Sequence, residues 1–168
     1  GAVDPERNLM EKMVSGEYQG RLMGALLRCA ADAGCLSQAV SERLSAVEGS
    51  VTSADISLYM DAPARPGLLH DLAPEGEDAQ AVYALADALL ERAAMLTTMN
   101  LTAIMRFTGA GTNPLLPVCV AVEGTTYEKN ECFRQKVRAN LIDYTQRKRG
   151  FHCRVMSTED ANLAGSAM

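Results

Sequence analysis

The feature that most constrains the fold is a short apolar run at Val118–Val122, which is rich in β-branched residues and follows Pro117. Uninterrupted apolar character, without alternation, is typical of a strand in a parallel sheet that is covered on both faces. A helix with apolar residues at helical spacing is predicted for residues 131–148, and a second strand for 152–156. This strand–helix–strand order predicts one βαβ unit with parallel strands and a right-handed crossover.

Helical patterns dominate the remainder of the chain. Asp4-Pro5-Glu6 combines an N-cap residue, a proline suited to the first turn and an acid, so a helix is predicted to start there. Thr52 to Asp55 resembles a capping box and predicts another helix start. The prolines and glycines of residues 62–76 predict a surface loop. Further helices are predicted at 17–32, 37–44 and 56–61, and one long buried helix of on the order of 45 Å at 77–108.

Length and composition limit the classes of protein that fit. The 168 residues suit one globular domain, and the net charge of −5 disfavours binding to nucleic acid or to an anionic membrane. No apolar run is long enough to span a bilayer. The five cysteines form no C-x-x-C pair and several have apolar neighbours, which predicts buried free thiols in a reducing, cytoplasmic compartment. The two histidines lie far apart in sequence, so no metal site is predicted.

Two segments that follow the predicted strands are candidate ligand sites. Ligands of open α/β sheets bind beyond the carboxyl ends of parallel strands, so both segments are expected to face one crevice. In Glu123-Gly124-Thr125, a glycine would let backbone N–H groups approach a phosphate, and a threonine would add a hydroxyl. Residues 157–162 open a predicted last helix, whose N-terminus would attract an anion. A ligand-free turn at the first segment and simple helix capping at the second remain alternatives.

Three segments resemble the hexokinase family, in matching order and spacing across nearly the whole chain. Residues 9–20, LMEKMVSGEYQG, are similar to the family's F-E-K-M-x-S-G-x-Y-x-G segment. Residues 118–127, VCVAVEGTTY, are similar to its adenosine motif, V-G-V-D-G-T-x-Y. Residues 159–167, EDANLAGSA, are similar to its terminal E-D-G-S-G-x-G-A-A segment. The similarity is strongest to bacterial members of the family.

The resemblance implies a fold and an activity. The fold is α/β, a helix-rich partial ribonuclease-H-like or actin-like ATPase lobe with a small parallel sheet. Residues 1–168 would form a single domain, the C-terminal portion of a hexokinase large lobe and a fragment of a longer chain. The parent would transfer the γ-phosphoryl group of ATP to the 6-hydroxyl of glucose or a related hexose, with Mg²⁺ carried by the nucleotide.

The resemblance also implies roles for individual residues. Glu11 matches the glutamate that binds the hydroxyls of the sugar, and no catalytic residue or metal ligand falls in this segment. Ala161 and Leu163 replace two glycines of the family pattern, and a glutamate replaces the usual aspartate of the adenosine motif. The positions that match ATP-binding residues are Gly16, Glu123, Gly124, Thr125 and Asn162.

Half of the implied active site is expected outside this chain. The family's catalytic aspartate and its first two phosphate loops would lie in an N-terminal half upstream of Gly1, so the chain alone is expected not to turn over. The implied partners are a hexose, ATP and that missing half. A non-catalytic helical interaction or regulatory module derived from the kinase fold is the alternative function. A homodimer formed through exposed sheet edges is a further alternative.

Overall fold

The computed structural model describes residues 7–47 and 49–157. Its contacts divide the chain into two compact units, Gly1–Ala93 and Ala94–Met168. The fold is helix-rich with a small parallel sheet, as predicted. Its elements in chain order are α1 Leu9–Val14, α2 Gly16–Asp32, α3 Gln38–Val47, α4 Ser53–Asp61, α5 Leu68–Leu72, α6 Gly76–Thr108, β1 Val118–Val122, α7 Thr125–Lys129, α8 Glu131–Asn140, the π-helix π1 Leu141–Lys148 and β2 Cys153–Ser157.

Helix starts in the first unit follow the capping chemistry of the sequence. The capping box before α4 is confirmed, because the Asp55 N–H donates to Thr52 Oγ1 and the Thr52 N–H donates to the Asp55 carboxylate. The Ser37 N–H donates to Asp78 Oδ1 over 2.7 Å, which ties the start of α3 to α6. Hydrogen bonds from the Ser37 side chain and from its N–H lower the pKa of Asp78. The helix start predicted at Asp4–Glu6 lies outside the described residues.

The core of the first unit is aliphatic and forms around α2 and the first half of α6. Met23 and Leu27 of α2 are fully buried, as their helical spacing predicts. The prediction that residues 62–76 form only a loop is wrong, because α5 lies within them and buries Leu69 and Leu72. The prolines of this stretch flank the short helix and do not interrupt it, since they lie at positions 63, 66 and 74.

The predicted long helix is confirmed as α6, a continuous helix of 33 residues. Val82 and Leu89 of the predicted apolar stripe are buried, but Ala103 is exposed. The buried residues near the helix C-terminus are instead Thr98, Thr102 and Met105. Threonine is tolerated there because each hydroxyl donates to the carbonyl four residues earlier, so no polar group stays unpaired.

The second unit contains the predicted parallel strand pair. β1 and β2 run parallel in a register that pairs Val118 with Cys153 and Val122 with Ser157. The expectation that β1 is covered on both faces is wrong, because Cys119 and Ala121 are exposed. Alternate residues of this apolar strand therefore face solvent.

The prediction of buried thiols holds for one cysteine of the five. Cys153 is buried, and that burial raises the pKa of its thiol. Cys29, Cys35 and Cys119 are exposed, and Cys132 is half-buried. All five are free thiols, so their apolar sequence neighbours did not indicate burial.

The helix predicted at 131–148 is an α-helix that continues as a π-helix. Phe133, Val137 and Leu141 are buried as predicted, whereas Tyr144 is only half-buried. The wider turn of the π-helix brings Thr145 into line with the buried residues instead.

A pair of buried hydroxyls joins π1 to α6 within the second unit. The Oγ1 atoms of Thr102 and Thr145 lie 2.7 Å apart, and Thr102 Oγ1 also donates to the Thr98 carbonyl over 2.7 Å. Because a hydroxyl has a single proton, Thr145 is the donor in the pair. The bond between the two helices therefore depends on Thr145.

We expect Thr145→Val to lower the free energy of unfolding by about 1–2 kcal/mol, because it leaves a buried acceptor on Thr102 without its donor. Thr102→Val should lower the free energy of unfolding by a similar amount, because it removes the acceptor of the buried Thr145 hydroxyl. The double variant should lose less than the sum, since two apolar groups of the same shape replace the whole pair. Urea unfolding of the four proteins measures the coupling; strictly additive losses would contradict this role for the pair.

Candidate functional site

A polar cleft of about 280 Å³ lies in the first unit, where two helices begin. α2 starts at Gly16 and α4 starts at Ser53, and both of these residues border the cleft. The first N–H groups of a helix lack intrahelical partners and carry the positive end of its dipole, so two helix starts favour an anion. The cleft is lined by Gly16, Glu17, Arg21, Gly49, Val51, Thr52 and Ser53.

The cleft carries one exposed ion pair. Arg21 Nη2 lies 3.1 Å from Glu17 Oε1, and both side chains are mostly exposed. Such surface pairs contribute little to stability, so the guanidinium can change its partner at small cost. The Thr52 side chain is less able to change its partner, because its hydroxyl lies 2.5 Å from Asp55 Oδ2 within the capping box.

Close packing of two backbone segments sets the shape of the cleft. A Cβ atom at Gly20 would collide with the carbonyl oxygen of Val51 and with the Thr52 backbone. α2 and the residues that lead into α4 can therefore approach this closely only because position 20 has no side chain.

Glu11, the predicted sugar ligand, lies on the short helix α1 and is exposed. Its carboxylate makes no hydrogen bond or ion pair with any residue that the structure describes. The Arg92 guanidinium donates to the Met13 carbonyl over 3.4 Å, which ties α6 to the end of α1. Glu11 thus has free acceptor oxygens on a helix that is joined to the core of its unit.

The turn after β1 places Glu123, Gly124 and Thr125 on the surface. Gly124 has φ +121°, a conformation that favours glycine, and α7 starts at the next residue. Its N–H donates to Glu128 Oε1 over 3.3 Å, so a carboxylate accepts from the group that was predicted to meet a phosphate. Glu128 is the fourth residue of α7, one position beyond the acid of a capping box, so no sequence pattern indicated this contact.

The ends of the two strands lie side by side, as predicted. Val122 pairs with Ser157, so both strands end at the same edge of the sheet. Asn162 and the turn that contains it lie outside the described residues. Glu11 and Gly16 belong to the first unit, whereas Glu123, Gly124 and Thr125 belong to the second.

Over residues 7–47 and 49–157, no three His, Cys, Asp or Glu side chains cluster in a way that could hold a metal ion. None of the helices in that part of the chain is both long enough and apolar enough to cross a membrane.

Two glycines of α2 offer a matched test of the cleft. Gly20→Ala should lower the free energy of unfolding by about 1–3 kcal/mol, because the methyl group meets rigid backbone at Val51. Gly24→Ala is the control, since its methyl group would have Gly49 N as nearest atom at 4.0 Å. The control should gain about 0.5–1 kcal/mol from reduced chain entropy. Equal effects in urea unfolding would show that α2 and Val51 are not in close contact.

Comparisons with known proteins agree with this architecture. The family model described as Hexokinase matches residues 2–168. A solved structure of the hexokinase from Schistosoma mansoni complexed with glucose is similar to this chain, with a TM-score of 0.70 and 25% sequence identity. That alignment covers 98% of this chain and 39% of the Schistosoma chain, whereas no curated protein sequence matches significantly. The chain belongs to the hexokinase family.

Proposed function

We propose that this chain is part of an ATP-dependent hexose kinase, which transfers the γ-phosphoryl group of ATP to the 6-hydroxyl of glucose or a related hexose. The observation that carries this proposal is the family match over residues 2–168. The glucose complex of the similar Schistosoma hexokinase supports a sugar substrate. Since the chain spans 39% of that protein, the complete reaction is assigned to the parent and not to this chain alone.

Glu11 is the proposed ligand of the sugar. A carboxylate accepts directional hydrogen bonds from adjacent hydroxyls, and it has acceptor sites for two or more of them. The exposure of Glu11 and its lack of a partner within the described ranges support this role. Its helix α1 directly precedes α2, which starts at Gly16, so the proposed sugar ligand and the proposed nucleotide segment lie on adjacent elements of one unit.

The cleft at Gly16 is the proposed contact of the first unit with the nucleotide. Two helix starts and the Arg21 guanidinium favour an anionic ligand there. Bound ATP would bring Mg²⁺ on its phosphates, and the ion would neutralise charge that develops during transfer. The residues of this chain then bind and orient the nucleotide.

The turn after β1 is the proposed contact of the second unit with the phosphates of ATP. Gly124 and Thr125 offer exposed backbone N–H groups and a hydroxyl at the carboxyl end of a parallel strand. Glu123 and Asn162 are proposed to bind at the same nucleotide because they match the family's motifs. A phosphate that binds at Gly124 must displace the carboxylate of Glu128 from its N–H.

Exposed apolar surface in the second unit supports a larger parent. Phe107, Leu115 and Leu116 are 93%, 86% and 73% exposed. Parallel sheets are normally covered on both faces and contain more than two strands, yet β1 pairs only with β2 among the residues described. We infer that the rest of a cytoplasmic hexokinase covers this surface and supplies the catalytic base. A homodimer of this chain is the competing way to bury it.

A coupled assay of ATP-dependent glucose phosphorylation tests the proposal. The parent containing this chain should turn over, and the 168-residue chain alone should not. In the parent, Glu11→Ala should lower kcat/KM for glucose by roughly 10- to 100-fold, because it removes charged hydrogen bonds to the sugar. Glu75→Ala, which removes another exposed acid of the same unit, should leave kcat/KM unchanged.

Two outcomes would contradict the proposal. Robust sugar-dependent ATP consumption by the 168-residue chain would refute the need for further segments. A folded parent without any sugar kinase activity would favour the alternative, a non-catalytic interaction or regulatory module that retains the fold.

The contact between Glu128 and Gly124 gives a prediction for ATP affinity. In the parent, Glu128→Gln should lower the KM for ATP by roughly threefold, because it removes a negative charge that competes with a phosphate. High salt should shrink this effect through screening. Glu131→Gln is the control, since Glu131 pairs with Arg134 and does not contact Gly124. A KM for ATP that is unchanged in Glu128→Gln would exclude phosphate binding at Gly124.

A further inference from the structure

A groove of about 340 Å³ runs along the outer side of β2 in the second unit, between this strand and π1. It shares no lining residue with the cleft at Gly16 or with the turn at Gly124. Its volume falls at the lower end of the range of about 300–1,000 Å³ that is typical of ligand pockets. The groove is lined by Arg138, Leu141, Ile142, Gln146, Cys153, Arg154 and Val155.

The backbone of β2 is open toward this groove. The Val118 N–H donates to the His152 carbonyl over 2.9 Å, so alternate residues from position 152 face β1. Cys153 and Val155 therefore direct their N–H and C=O groups to the opposite, outer edge. The Gln146 side-chain amide donates to the Cys153 carbonyl over 3.1 Å and so satisfies one of these groups. At Val155 no strand of the described chain pairs with the outer edge.

The side chains around this edge combine apolar surface with positive charge. Leu141 is buried beneath the groove, and Ile142 is 46% exposed. Arg138 and Arg154 are exposed, and neither forms an ion pair within the described ranges. The nearby cation Arg147, by contrast, is paired with Asp143 over 2.7 Å. The groove thus offers free guanidinium groups beside apolar surface and an unpaired strand edge.

We propose that this groove binds an extended peptide segment of a partner protein, in which acidic and apolar residues alternate. The segment adds a strand to the outer edge of β2, and its apolar side chains lie toward Leu141 and Ile142. Its carboxylates then lie on the opposite face of the sheet, where they pair with Arg154, while Arg138 adds positive charge at the border of the groove. A second copy of this chain is a poor occupant. Two-fold pairing of β2 edges would bring the same unpaired arginines toward one another.

A fluorescein-labelled peptide of sequence Glu-Val-Glu-Val-Glu-Val tests the proposal with the 168-residue chain by fluorescence anisotropy. Saturable binding is expected, and it should weaken by roughly tenfold in Arg154→Glu, which removes a direct ion pair. Arg138→Glu should weaken it less, by roughly threefold, because this arginine attracts the peptide without pairing with a carboxylate. Arg106→Glu makes the same charge change in the same unit but does not line the groove, so it should bind as the unaltered chain does.

Two further peptides separate strand addition from simple charge attraction. A version with alternate backbone nitrogens methylated should bind roughly tenfold more weakly, because it cannot donate to the strand edge. A version with lysine in place of glutamate should not bind. Absent binding of the acidic peptide, or equal binding of its methylated form, would overturn the proposal. Sedimentation tests the other occupant, a second copy of the chain. If the chain forms a dimer and Arg138→Glu converts it to a monomer, the proposal is overturned in favour of that second copy.

Discussion

Close backbone contact at two glycines is the constraint on which both units depend. In the first unit, Gly20 lets α2 lie directly against Val51, which sets the cleft between two helix starts. In the second unit, Gly111 has φ +77°, and a Cβ there would lie 2.8 Å from the His152 carbonyl oxygen. The Gly111 carbonyl accepts from the His152 N–H, and the His152 carbonyl accepts from the Val118 N–H. These bonds lead directly into the register of β1 and β2, so one backbone position fixes where both strands begin.

Much of the fold could be predicted because local chemistry and tertiary packing agree. The capping box at Thr52–Asp55 uses bonds between neighbours in sequence, so the pattern alone indicates where α4 starts. The parallel pairing of β1 and β2 follows from two predicted strands joined by a helix. The family resemblance, confirmed by the match over residues 2–168, added the expected activity and the candidate site residues.

What could not be predicted depends on partners that are distant in sequence. The burial of Thr102 and Thr145 requires knowing that their hydroxyls meet, although 43 positions separate them. The exposure of Cys119 and Ala121 depends on whether another segment packs against their face of the sheet. An apolar strand sequence indicates only that such packing would be favourable. Among candidate site residues, Glu128 was missed because its contact with Gly124 is visible only once the turn is built.

Both proposed nucleotide contacts already hold a carboxylate of the chain itself. Glu17 lies against Arg21 in the cleft, and Glu128 accepts from the Gly124 N–H at the turn after β1. Each carboxylate accepts from a donor that a phosphate would otherwise use. Phosphate binding would therefore exchange one anion for another and add no new hydrogen bond at that donor. The net gain at each proposed contact would therefore be small, and affinity for ATP would have to come from many such exchanges together with contacts from the rest of the proposed parent. Exposed pairs of this kind cost little to break, which allows the chain to keep its donors satisfied without closing the site to a nucleotide.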